Sequence, residues 1–226
     1  MRSFQILPIV LFLPIVACGG GGSTSPSPTA PTTQTPPPAP TNRSPVINSL
    51  SVAPSFGISE LTLFTFSAAA SDPDGDPVSY AWDLAGSAGS GTNGTITLKG
   101  SGPAVMKVTV SDGKGGSVSD TRTVTVGTAT GTWRGNGVDL GTFTMVLVQT
   151  GARVTGTYSD PYFGQGQIDP AQPGSINASG HIELRTKQSV FTDFTFKGDM
   201  DSTGRRIVGQ IFGSGFNGEA FTMDKQ

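Results

Sequence analysis

From residue 45 to the C-terminus the sequence alternates apolar and small polar side chains. The runs are about four to eight residues long and are broken by Gly, Pro, Asp and Asn, the pattern of half-buried strands. The run 61–68 (LTLFTFSA) is typical, and 78–84 (VSYAWDL) and 142–149 (TFTMVLVQ) repeat the pattern. No stretch carries the 3.6-residue periodicity of an amphipathic helix. Composition agrees: Gly numbers 32 and Pro 17, while charged residues are 13%. Such a chain must bury one face of many short strands, so the expected class is all-β.

The N-terminal 44 residues follow different rules. Met1-Arg2-Ser3 is a short cationic start, and residues 6–17 (ILPIVLFLPIVA) are apolar. That run is shorter than the ~20 residues of a membrane-spanning helix, and Pro8 and Pro14 interrupt it. It reads as a secretory signal. Residues 19–44 (GGGGSTSPSPTAPTTQTPPPAPTNRS) hold almost no bulky side chain. They bury too little surface to offset chain entropy and are expected to form a disordered, extended linker.

Charge and rare residues narrow the function. The formal net charge is −2, with no basic patch, so nucleic acid is not an expected partner. Cys18 is the only cysteine and His181 the only histidine, which excludes an internal disulfide and thiolate- or poly-His-based zinc sites. His181 lies in an alternating strand with no Gly-x-Ser-x-Gly elbow nearby, so a Ser–His–Asp centre is not indicated. Asp160 and Glu183 could in principle form a carboxylate pair for glycoside cleavage, but sequence supplies no distance. No catalytic residue is expected.

Between residues 45 and 127 six strands are expected, at 46–52, 61–68, 78–84, 95–98, 104–110 and 117–126, enough for an immunoglobulin-like sandwich. Trp82 sits in an alternating strand and is expected in the core. Asp72, Asp74 and Asp76 place three carboxylates around Gly75. Such a cluster suits a hard cation such as Ca2+, and it suits equally a turn whose Asp side chains accept nearby backbone N–H groups.

Between residues 130 and 226 seven or eight short strands are expected, from Gly131-Thr132-Trp133 to 219–224. They suggest an up-and-down meander or small closed barrel. The apolar-x-Gly-x-apolar pattern around Gly156, Gly198 and Gly209 places a glycine where strongly bent strands crowd. A pocket lined by Tyr158, Phe191 and Phe194 is one option for this unit.

Three segments resemble known families. Ile15-Val16-Ala17-Cys18 is similar to the bacterial lipobox. The resemblance implies lipidation of Cys18, anchoring to a membrane and, since Gly19 is not Asp, the outer membrane of the cell envelope. Asp72-Pro73-Asp74-Gly75-Asp76, the Tyr80-Ala81-Trp82-Asp83 strand and Val110-Ser111-Asp112-Gly113 together resemble polycystic-kidney-disease (PKD) and cadherin-like Ig domains. The resemblance implies calcium ligands at Asp72 and Asp74, joined by Asn42 and Asp112. Gly131-Thr132-Trp133 with Gly156-Thr157-Tyr158 is similar to the opening of avidin- and lipocalin-like barrels. That implies the barrel shape and not the ligand: Trp133 and Tyr158 are the candidate ligand-binding residues, and for Trp133 a plug at the barrel floor is the favoured role.

The expected organisation is a signal over 1–18, a linker over 19–44, a sandwich over 45–127 and a barrel over 130–226. The expected function is a lipid-anchored, non-catalytic cell-surface protein for adhesion, binding or scaffolding, with a protein or carbohydrate partner. A small-ligand or lipid carrier that uses the barrel is the alternative.

Overall fold

A computed structural model of the chain describes residues 39–188 and 192–226. The signal, Cys18 and most of the linker lie outside the described residues, as does Phe191. All regular structure among the described residues is strand. Residues 41–226 form one unit. It begins ahead of the expected boundary at residue 45, because Asn42 and Arg43 already bond to the sandwich.

The sandwich holds β1 (Val46–Ala53), β2 (Phe56–Ile58), β3 (Leu63–Ser71), β4 (Ser79–Leu84), β5 (Ser87–Ser90), β6 (Asn93–Thr97), β7 (Gly102–Ser111) and β8 (Ser117–Gly127). One sheet is ordered β1-β3-β6 and the other β2-β8-β7-β4-β5. Every contact is antiparallel except β2–β8. The inward residues of the two sheets meet in one core that includes Phe64, Phe66, Trp82, Met106 and Val108. Trp82 lies 4.6 Å from Phe66, centroid to centroid, and its indole N–H donates to the Gly91 carbonyl.

The barrel holds β9 (Gly131–Gly137), β10 (Gly141–Thr150), β11 (Arg153–Asp160), β12 (Gly164–Ile168), β13 (Gly174–Ile176), β14 (His181–Gln188), β15 (Thr195–Met200), β16 (Arg206–Gly213) and β17 (Phe216–Lys225). Apart from β12 and β13, neighbours in sequence pair antiparallel, and β17 returns to β9, so the sheet closes. Strands β12 and β13 both pair with β11 and with β14. They are two pieces of one stave, so nine strands make an eight-staved barrel. Closure leaves no exposed sheet edge.

Close backbone approach explains two of the recurring glycines. A Cβ on Gly156 would lie 2.1 Å from the Val146 carbonyl oxygen, and one on Gly209 would lie 2.0 Å from that of Lys197. Only glycine allows strands bent this tightly to keep pairing.

The barrel interior is filled by its own side chains. Trp133, Phe143, Met145, Tyr158, Phe196 and Phe221 are all essentially inaccessible. Phe196 sits 5.1 Å from Phe143 and 5.0 Å from Phe221, centroid to centroid.

One member of this core belongs to the sandwich. Ile58 is fully buried within the barrel cluster, and Phe56 and Leu61 pack against it. The segment 56–62 turns back on itself: the N–H groups of Leu61 and Thr62 both donate to the Ile58 carbonyl, and Glu60 takes φ 66°. Leu61 and Thr62, expected to open a strand, therefore belong to this turn, and β3 starts at Leu63.

Hydrogen bonds latch the turn onto the barrel end. Thr62 Oγ1 accepts the Ile58 N–H at 2.7 Å and donates to the Ala178 carbonyl at 2.8 Å. Gln149 Nε2 donates to the Ser59 carbonyl at 3.0 Å, and the Gly151 N–H donates to the Glu60 carboxylate at 3.0 Å. That N–H and Lys99 hold the Glu60 carboxyl below the usual carboxylate range.

Truncating Ile58 would open a cavity in the barrel from the sandwich side. Ile58→Ala should cost about 2–4 kcal/mol in urea denaturation. Tryptophan fluorescence should report the barrel unfolding at the lowered midpoint. An unchanged midpoint would contradict the shared core.

Candidate functional site

Three places carry chemistry-bearing side chains, and the first is the acidic turn at one end of the sandwich. Asp72 Oδ1 accepts the N–H groups of Asp74 and Asp76 at 2.8 and 3.3 Å. Its Oδ2 is buried and has no hydrogen-bond partner. Asp74 is held by Arg43, through the guanidinium at 2.8 Å and the backbone N–H at 2.7 Å, and these keep its carboxyl below the usual range. Lys114 pairs with Asp76 at 2.6 Å, which raises the lysine pKa. Asp112 Oδ2 accepts from the Asn42 amide at 2.8 Å, while Oδ1 accepts from the N–H groups of Lys114 and Gly116. These bonds, the Asn42 amide foremost, also depress its pKa.

The structure thus joins Asn42 to Asp112 and ties Asp74 to Arg43. Among the described residues no three acidic, histidine or cysteine side chains converge closely enough to hold a metal. Arg43 and Lys114 supply the positive charge at this turn, and Asp72 Oδ2 is left as an oxygen without a donor.

The second place is the barrel interior. Trp133 is fully buried, and its indole N–H donates to the Ala129 carbonyl at 2.7 Å. Lys225 lies over its ring at 5.6 Å. Trp133 and Tyr158 share one core and neither reaches solvent. Tyr158 points inward toward the barrel end farther from Ile58. Its hydroxyl, Asp160 Oδ2 and both amide atoms of Gln188 are buried without ordinary hydrogen bonds. Burial first, then the Asp160 carboxylate, pushes the Tyr158 phenol pKa far up, so the hydroxyl keeps its proton. Phe194 lies 5.4 Å from Tyr158. Asp160 faces inward and Glu183 lies on the outer face, so the barrel wall separates that carboxylate pair. His181 is exposed and bonds Asp199 across the β14–β15 ladder at 2.9 Å.

The third place was not anticipated. A groove of about 580 Å3 runs over the outer face of β14, β15 and β16. Glu183, Arg185, Asp193, Thr195, Lys197 and Phe212 line it. Ladder register sets the floor: Glu183 opposes Lys197, which opposes Gln210, and Arg185 opposes Thr195, which opposes Phe212. Alternation alone marks these residues as outward-facing. Their assembly into one groove depends on strand register, which the sequence pattern does not reveal.

Among the comparisons with known proteins, the family match is confined to the sandwich. Residues 42–127 match the bacterial Ig domain family, and the match ends where the sandwich ends. The PKD1 domain of Vibrio anguillarum Epp is similar at 29% identity, over 38% of this chain and 96% of that one, with a TM-score of 0.32. A carbohydrate-binding module of the β-sandwich superfamily, described as promiscuous in specificity, is 17% identical over 82% of this chain and 93% of its own, with a TM-score of 0.36. A quinonprotein alcohol dehydrogenase-like protein from Bacteroides thetaiotaomicron is 7% identical over 69% of this chain and 53% of that one, with a TM-score of 0.24. No curated protein matches significantly.

Proposed function

We propose that the protein is a lipid-anchored, non-catalytic cell-surface module for adhesion, binding or envelope scaffolding, carried on the outer membrane through Cys18. The observation that carries this reading is the latched pair of β domains with a side-chain-filled barrel. The Ig-type unit and the barrel share a core through Ile58, which suits a stiff display element. A carrier would need an open apolar lumen. The inward positions are instead taken by aromatic rings in mutual contact, which favours binding on the outer surface. The lipobox-like segment before Cys18 and the linker after it support the anchoring.

Radiolabelled palmitate fed to expressing cells should enter the wild-type chain and not Cys18→Ser, and the labelled protein should fractionate with outer membranes. Unlabelled wild-type protein that stays in the cytosol would overturn the anchoring.

Calcium at the acidic turn is the second part of the proposal. Asp72 Oδ2, which has no hydrogen-bond donor, is the oxygen free to receive the ion, with Asp74, Asp112 and Asn42 the other candidate ligands. Lys114, which pairs with Asp76 and feels the charges of Asp112 and Asp72, opposes the ion electrostatically. Its role would be to stiffen the entry to the sandwich. The melting temperature should rise with added calcium, rise further in Lys114→Ala, and fall with chelator. Identical melting under all these conditions would remove the site.

A further inference from the structure

Resting on the reading of the protein as a surface binding module, we infer that the groove over β14, β15 and β16 binds a neutral carbohydrate. Phe212 is its stacking platform, and Glu183, Arg185 and Asp193 are its hydrogen-bonding rim.

Phe212 supplies the platform. It is half-buried on the outer face of β16, its ring edge lies in ordinary van der Waals range of Gly218 on the adjoining strand, and it lines the groove. A sugar offers the matching surface, since the axial C–H groups of a pyranose form an apolar patch that an aromatic ring covers.

The rim sets the charge of the guest. Glu183 pairs with Lys197 at 3.4 Å, and Asp193 pairs with Lys187 at 3.2 Å. Arg185 donates to the side-chain carbonyl of Gln172. Two acids, Glu183 and Asp193, and two bases, Arg185 and Lys197, line the groove, so its lining carries no net charge. A phosphate or polyanion would want a net positive lining, and a basic peptide a net negative one. Hydroxyl groups want donors and acceptors side by side, which this row of carboxylate, guanidinium and ammonium supplies.

Rigidity adds to the argument. Most of these residues stand on paired strands of a closed barrel with a packed interior. Little order has to be imposed on the protein when a ligand binds. The volume of about 580 Å3 is of the size that small-molecule sites occupy.

The test is isothermal titration calorimetry on the full lipidated chain in a detergent without sugar headgroups. The probes are cellohexaose, maltohexaose, chitohexaose and mannohexaose, with a heparin hexasaccharide and a lysine hexapeptide as charged controls. At least one neutral hexasaccharide should bind, with an affinity little changed between low and high salt. Phe212→Ala should weaken it roughly tenfold or more, and Phe212→Trp should retain it. Because Phe212 lies outside the barrel core, both variants should remain folded, with the far-UV circular dichroism of the wild type. Failure of every neutral probe, equal binding by Phe212→Ala, or binding of a charged control alone would overturn the assignment. Lipid labelling reads the anchor independently, so an overturned sugar site would leave the surface-module reading standing.

Discussion

The structure depends on how one end of the barrel is closed. An eight-staved barrel of this size fills its middle with its own side chains, but its ends expose apolar residues and open backbone groups unless something covers them. Here the cover comes from the other domain. Ile58 sits fully buried among the barrel's residues, with Phe56 and Leu61 behind it. Four polar contacts, through Thr62, Gln149, Glu60 and Ser59, satisfy the backbone around it. Apolar insertion supplies the energy, and the hydrogen bonds fix the orientation. A chain with a single cysteine has no internal disulfide to enforce that geometry.

The opposite end of the barrel has another character. Phe163, Phe194 and Phe216 cluster there with ring centroids 5.6 to 6.0 Å apart. Beneath them lie the inward-facing polar atoms of Tyr158, Asp160 and Gln188. The two ends thus divide the labour of the fold: one is locked to the Ig-type domain, while the other carries the polar groups that the core does not satisfy. Between them the wall is regular and presents its side chains outward in fixed register, which is where the groove lies.

The fold class was legible because period-two alternation is a local signal. The main strands follow that alternation, and the glycines at 156, 198 and 209 fall where strands crowd. Three strands escaped it. The runs 56–58, 87–90 and 174–176 are too short or too glycine-rich to show a period, and they exist because neighbouring strands supply the pairing. The interlock escaped as well, since Ile58 looks like an ordinary apolar residue until the barrel closes around it. Of the candidate sites, Trp133 and Tyr158 could be assigned to the barrel but not to its interior contacts. Asp74 could be placed in a turn, but its partner Arg43 sits on what reads as linker. The groove was illegible for the same reason as the interlock: residues 183, 197 and 212 become neighbours only through register.

Everything about rigidity, display and a preorganised outer wall follows from the two β domains folding as one body. Differential scanning calorimetry of the whole chain tests this most directly. A shared core predicts one endotherm whose calorimetric and van't Hoff enthalpies agree. Two separated transitions, one for the sandwich and one for the barrel, would contradict it.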